Sequence, residues 1–170
     1  DDDSADDDDT GADDDDSAVA SCTVVMDLDC DTNFIDSNLT DGGDSQDLFD
    51  SYNCNPFTYV GSENVYTFTP DTTDTYTFTL SNLSADVDIL VLTDCDAATC
   101  LDAGASGSTT DEELSIELTE GTQYYVVIDG YNGNQSSYDL RVTCGCDDAD
   151  GDGICDADDE CIGDDASGDA

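Results

Sequence analysis

Thr75-Tyr76-Thr77-Phe78-Thr79-Leu80 decides the fold class. Polar and apolar side chains alternate through it without a break, the period of two that turns one face of a strand to a core and the other to water. Apolar strand-like runs recur at 64–69, 87–92, 114–118, 124–128 and 138–143, separated by clusters of Gly, Asn, Asp and Ser. No stretch sustains a helical period. The expectation is an all-β fold, an antiparallel, jelly-roll-like β-sandwich over residues 19–145, long enough for one core. Tyr66, Phe68, Tyr76, Phe78, Tyr124 and Tyr138 are expected in that core or on a sheet face rather than on a ligand platform.

Two acidic zones flank this body. Residues 1–18 hold eleven Asp in the repeats DDDSA, DDDDTGA and DDDDSA, with no apolar side chain larger than Ala. Alone, such an Asp-rich N-terminal arm cannot bury enough surface to fold. Neighbouring carboxylates about 5 Å apart repel by roughly 0.8 kcal/mol even at the dielectric of water. The arm is therefore expected to be ordered only by counter-cations shared with a facing acidic surface; the plainer alternative is a solvated spacer.

The whole chain carries 45 acidic residues against one Arg and no His, for a net charge of −44 over 170 residues. Nucleic acid and direct membrane insertion are poor matches for that surface, and no apolar transmembrane span is present. Halophilic adaptation would also explain the charge, but not the spacing described below. Without His or Lys there is no Ser-His-Asp or Cys-His system, no His-ligated zinc and no Schiff base. Gly104-Ala105-Ser106-Gly107-Ser108 has the outline of a nucleophile elbow but lacks its second Gly, so it is expected to be a turn. The chain is not expected to be an enzyme.

In the C-terminal zone, 146–170, Asp148, Asp150, Asp152, Asp156 and Asp159 stand at positions 1, 3, 5, 9 and 12 of a calcium loop. Gly153 permits the sharp turn at position 6, and the Ile154 carbonyl is available at position 7. Asp159 stands where an EF-hand has Glu, and neither flank has the period of a helix. The pattern, through Cys161, resembles a thrombospondin type 3 repeat. That resemblance implies Ca2+ bound by Asp side chains and a tail ordered by metal and disulfide, a metal-ordered C-terminal calcium loop; a flexible acidic tail is the bland alternative. The Pro usual after the last Cys of such a repeat is replaced by Ile162.

Nine Cys without His partners point to a disulfide framework in an oxidising, extracellular or cell-surface setting. Cys95 with Cys100, across the short loop between them, and Cys30 with Cys54 are the expected pairs. An odd count also leaves one thiol free or bridged between chains. The sequence is expected to be a mature form whose export signal has been removed.

At Gly61-Ser62-Glu63-Asn64-Val65-Tyr66, at 85–91 and at 121–134 running into Ser137-Tyr138, the body resembles a bacterial pre-peptidase C-terminal (PPC) domain. The resemblance implies a noncatalytic ancillary β-sandwich, some relatives of which bind calcium or extracellular substrates such as collagen and polysaccharide. Asp86, Asp88, Asp129 and Glu63 sit beside strand ends and are a candidate second metal site; ordinary turn chemistry is the alternative. Asn38, Asn82 and Asn134 begin N-glycosylation sequons. Two functions are open. One is a calcium-binding structural subunit that self-assembles as a homo-oligomer, filament or surface layer through calcium shared between the arm or tail and a neighbouring body. The other is a calcium-stabilised module for an extracellular glycan or protein.

Overall fold

A computed structural model describes residues 22–39 and 45–145, so the arm at 1–18, the calcium loop with its ligands Asp148 to Asp159, and Cys146, Cys155 and Cys161 lie outside the described residues. The body is a β-sandwich. Nine strands form two sheets: β1 Val24–Asp27, β2 Asn33–Ser37, β3 Asn64–Phe68, β4 Asp74–Ser81, β5 Val87–Leu92, β6 Cys100–Gly104, β7 Glu112–Leu118, β8 Tyr124–Gly130 and β9 Ser137–Thr143. One sheet has the order β1-β3-β8-β5-β6 and the other β2-β9-β4-β7. All pairings are antiparallel except that of β1 with β3, which is parallel and so departs from the expected arrangement.

The alternation read from the sequence sets which side chains meet between the sheets. Tyr76, Phe78 and Leu80 of β4 and Tyr138, Leu140 and Val142 of β9 pack against Tyr66 and Phe68 of β3, Ile89 of β5 and Val126 of β8. All six aromatics expected in the core are buried. Phe68 meets Tyr76 and Phe78 edge to face, with centroids 5.1 and 5.6 Å away, a favoured geometry for ring pairs. Within this core the Tyr66 hydroxyl donates to Asp36 and shares a hydrogen bond with the Tyr138 hydroxyl, which also accepts from the Asn64 amide.

Strands β3 and β5 are buried on both faces. Their second faces carry a separate cluster, Val65, Leu90, Leu92 and Val127, beneath Phe49, Tyr52 and Tyr59 of the long connection from β2 to β3. Among the described residues, that connection has no strand of its own. Isolated bridges, Gln46 with Glu63 and Tyr59 with Tyr131, tie it to the sheet.

Three disulfides join described residues, in pairs other than those expected, and two of them fasten this layer. Cys22 joins Cys95, Cys30 joins Cys144 and Cys54 joins Cys100, with Cα separations of 5.8, 5.5 and 5.4 Å. Cys95 and Cys100 do not pair with each other; each is drawn to a distant segment, and between them the chain forms a hydrogen-bonded turn. Asp96 caps a single 3-10 turn, Ala97–Thr99, through its side chain to the Ala98 N–H. Cys30 instead holds the β1–β2 turn to the end of β9, where the Asp31 N–H also donates to the Val142 carbonyl. These crosslinks span 46, 73 and 114 residues, and loops of that length are each worth about 4 to 5 kcal/mol in the chain-entropy model.

Candidate functional site

Acidic residues occupy strand positions whose phase belongs to the interior. Glu63 precedes Val65 by two positions, Asp88 precedes Leu90 by two, and Asp129 follows Val127 by two, so all three share the second face of the five-stranded sheet. The registers of β3, β8 and β5 set them side by side: Asn64 pairs with Ile128, which places Glu63 opposite Asp129, and Asp129 pairs with Asp88. Three carboxyls thus form a row across adjacent strands, at a spacing where like charges directly opposed destabilise a sheet. Glu63 and Asp129 are fully buried and Asp88 nearly so.

Each carboxyl is capped by the connection that covers this face. The Leu48 N–H donates to Glu63 Oε1 over 2.6 Å. The Tyr52 hydroxyl donates to Asp129 Oδ2 over 2.7 Å, and the Tyr59 hydroxyl to Asp88 Oδ2 over 2.6 Å. Burial pushes the carboxyls of Glu63 and Asp88 up to about 7 and that of Asp129 up to about 8, and neighbouring carboxylates add to each rise. Burial also pushes the Tyr52 and Tyr59 hydroxyls far upward, which keeps them protonated donors.

At one end of the row the acids converge. Asp86, Asp88 and Glu112 bring carboxylate oxygens within 4.8 Å of one another. Glu112 starts β7 in phase with Leu114 and Leu118, so its side chain is carried to the interior and is fully buried. Its Oε2 accepts the Ser106 N–H at 2.6 Å, while its Oε1 is buried without a hydrogen-bond partner. Burial raises its pKa, and Asp86 and Asp111 add to the rise. Asp86 and Asp88 of the group, though not Glu112, line a pocket of about 190 Å3 together with Phe57, Ala105, Ser106, Gly107 and Tyr131. The segment read as a turn from its failed elbow pattern therefore lines the pocket.

The wall is set by close backbone packing. A Cβ on Gly130 would lie 1.8 Å from the Asn134 carbonyl oxygen, so only glycine lets the chain turn back after Asp129. Tyr131 then accepts a place beside Phe57, ring centroids 5.8 Å apart and edge to face. Its N–H donates to the Asp86 carbonyl.

Of the candidate second metal site, Asp86 and Asp88 come together, whereas Glu63 and Asp129 are turned to the covering segment. Glu112 takes their place in the group. Its signal was an acid in the apolar phase of a strand. Of the sequons, Asn38 is fully buried, its amide donating to the Ser62 carbonyl and its Oδ1 accepting the Ser136 N–H, so the fold closes it to modification.

No known family model matches the sequence, and no curated protein is similar to it. Among solved structures, the pre-peptidase C-terminal domain of a collagenase from Bacillus anthracis superposes with a TM-score of 0.50 at 16% identity, over 71% of this chain and 97% of that domain. The body is a PPC-like β-sandwich. A β-glucosidase from Kluyveromyces marxianus matches over 62% of this chain and 13% of its own, with 15% identity and a TM-score of 0.38, too slight a likeness to argue from. The PPC-like likeness concerns the fold; the carboxylate row and the pocket are properties of this chain's own residues.

Proposed function

We propose that this chain is a secreted, noncatalytic, calcium-binding β-sandwich module whose body holds an ion on Asp86, Asp88 and Glu112. The observation that carries the reading is the buried, unpartnered oxygen of Glu112, within a group of three carboxylates. A buried polar atom without a partner costs about 1–3 kcal/mol, and more when charged. Among the described residues the one basic side chain, Arg141, is spent on an exposed pair with Asp31. A proton or a cation from solution is the remaining compensation, and the three carboxylates together favour the cation once pH rises above neutrality. All-oxygen ligands select a hard ion, and calcium, with bonds of about 2.3–2.6 Å and tolerance of irregular geometry, spans the observed spread better than magnesium.

Three crosslinks in a body of this size support an extracellular setting. The loop from Asp148 to Asp159 is proposed as a second calcium site. Copies of a chain at −44 repel one another, so the self-assembly expected from the arm and tail is proposed to depend on divalent ions taken up between them.

Calcium titration by calorimetry tests the reading on the wild type, on Glu112→Gln and on Asp150→Asn with Asp152→Asn. Each variant is expected to lose a different part of the binding heat. Stoichiometry unchanged by Glu112→Gln would remove the ion from the body. Sedimentation and electron microscopy before and after chelation test assembly; oligomers that persist in chelator would refute the shared-calcium account.

A further inference from the structure

The fold treats the three Asn-x-Ser stretches of the chain differently. Asn38 is closed by burial. Asn134 is half-buried, and the Ser136 hydroxyl of its sequon is fully buried, accepting the Ser84 N–H at 2.8 Å and donating to the Ser137 carbonyl at 2.6 Å. An enzyme that reads the sequon through that hydroxyl finds it already spent. Asn82-Leu83-Ser84 lies in the loop from β4 to β5, where Asn82 and Ser84 are exposed while Leu83 between them packs against the core and anchors the loop. Asn82 holds a φ of 58°, in the left-handed region that Asn tolerates better than most residues. A sequon needs a surface loop to be used, and among the three only this one combines the loop with an open amide and an open serine.

The neighbours of Asn82 add a second observation. Its amide donates to Asp139 Oδ2 at 2.7 Å, and Asp139 pairs across strands with Ile35 of β2 on one side and with Ser81 of β4 on the other. Paired residues share a face, with Cβ atoms about 4.5–5.5 Å apart, so Ile35, Asp139 and Ser81 form one row on the outer face of the four-stranded sheet, and the row ends at Asn82. Ile35 is 79% exposed, the most of any large apolar side chain among the described residues. We propose that Asn82 is an N-glycan acceptor and that the first sugars of its glycan cover Ile35. In the transfer, Asn82 Nδ2 bonds to the anomeric carbon of a lipid-linked diphospho-oligosaccharide, the anomeric C–O bond breaks, the lipid diphosphate leaves, and one amide proton passes to the glycosylating enzyme. The modified amide keeps one N–H, enough to retain Asp139 as its acceptor. That bond holds the first ring beside Ile35, with a C–H face on the side chain and hydroxyls in water. The proposal requires export but is independent of calcium.

The test uses the full chain exported from a host that carries an Asn-glycosylating enzyme. Glycans are released enzymatically in heavy-oxygen water, which labels each Asn that bore one, and the peptides are read by mass spectrometry. Expected is label at Asn82 and none at Asn38 or Asn134, loss of the glycan in Ser84→Ala and its retention in Ser84→Thr. Both variants keep Asn82, so the turn it makes is preserved. Removing the glycan from the folded protein is expected to raise the fluorescence of Nile red, a neutral probe of exposed apolar surface, and Ile35→Ser to abolish that rise. An Asn82 left bare in the exported chain, or a glycan on Asn134 or Asn38 in its place, overturns the proposal. A glycan on Asn82 whose removal leaves the dye signal unmoved overturns the cover on Ile35 and upholds the acceptor.

Discussion

On the inner face of the five-stranded sheet, Val87, Ile89 and Val91 of β5 meet Tyr66, Phe68, Val126 and Ile128 in a core made almost wholly of carbon. On the outer face of the same strand, Leu90 and Leu92 continue the apolar surface, but the row ends at Asp88, Asp129 and Glu63. Both faces exclude water. The inner face is covered by a second sheet with its own hydrogen-bond ladders, the outer by a connection held through tyrosine hydroxyls, isolated bridges and the Cys54–Cys100 disulfide. Hydrophobic burial is indifferent to pH and ions; a buried carboxylate row is not. The difference teaches that the inner layer rests on apolar burial, whereas the outer layer encloses carboxyls whose burial favours their protonated form.

Truncation of the inner core is the largest effect and should be blind to conditions. Phe78 is fully buried and packs on Phe68, so Phe78→Ala is expected to cost roughly 3–5 kcal/mol. Denaturant midpoints in calcium and in chelator should fall by the same amount. A cost that changes with calcium would mean the two faces unfold as one ion-dependent unit.

The outer face should respond to pH with a sign opposite to that of an ordinary salt-bridged protein. The carboxyls of Glu63, Asp88 and Asp129 titrate at about 7, 7 and 8 when folded, well above the unfolded range near 4. Their contribution is fully present below the unfolded value and is lost as pH rises through 7 to 8. Melting of the chelated protein between pH 6 and 9 should show Tm falling by roughly 10 °C, and calcium should flatten that slope by replacing the protons. A chelated protein that gains stability over this interval would contradict the buried row.

A smaller change isolates one cap. Tyr59→Phe removes the hydroxyl that donates to Asp88 and accepts from the Asn55 amide, leaving a buried carboxyl oxygen bare at a cost of about 1–3 kcal/mol. That hydrogen bond also restrains the rise of the Asp88 pKa. The pH midpoint of chelated Tyr59→Phe should therefore move upward, and a midpoint that stays put would show that Asp88 does not govern the transition.

How far the sequence discloses this contrast depends on period. The alternation at 75–80 and 138–143 marks β4 and β9 because each has one wet face. Strand β5 reads as an apolar run because both faces are dry. Strands β1, β2 and β6 escape such a reading, being short segments at or near sheet edges: Val24–Asp27 pairs only through a shifted parallel register, and Cys100–Gly104 has no sustained alternation. Disulfide partners are equally hidden, since they depend on which loop ends the fold brings together. Asp86 and Asp88 could be named from their position beside a strand, but their partner Glu112 comes from 24 residues beyond Asp88, in the opposite sheet. What was legible there was local: an acid in step with Leu114 and Leu118, where an apolar residue belongs.

The smallest expected effect falls on the residue that composition makes most conspicuous. Arg141 is the sole basic side chain of the protein, and its guanidinium lies 3.2 Å from Asp31. Both partners are at least half exposed, at 50% and 59%, so water and salt screen the pair, and exposed pairs of this kind contribute about 0.2–1 kcal/mol. The same junction is already fixed by the Asn33–Arg141 register, by the Asp31 N–H on the Val142 carbonyl and by the Cys30–Cys144 crosslink. Arg141→Gln should thus lower stability by no more than about 1 kcal/mol, with a cost that shrinks further as salt is added and a pH slope like that of the wild type. A larger loss, or a change in calcium affinity, would mean that one exposed cation organises the field of 45 acids, and that the outer layer's response to pH and ions extends to the second sheet.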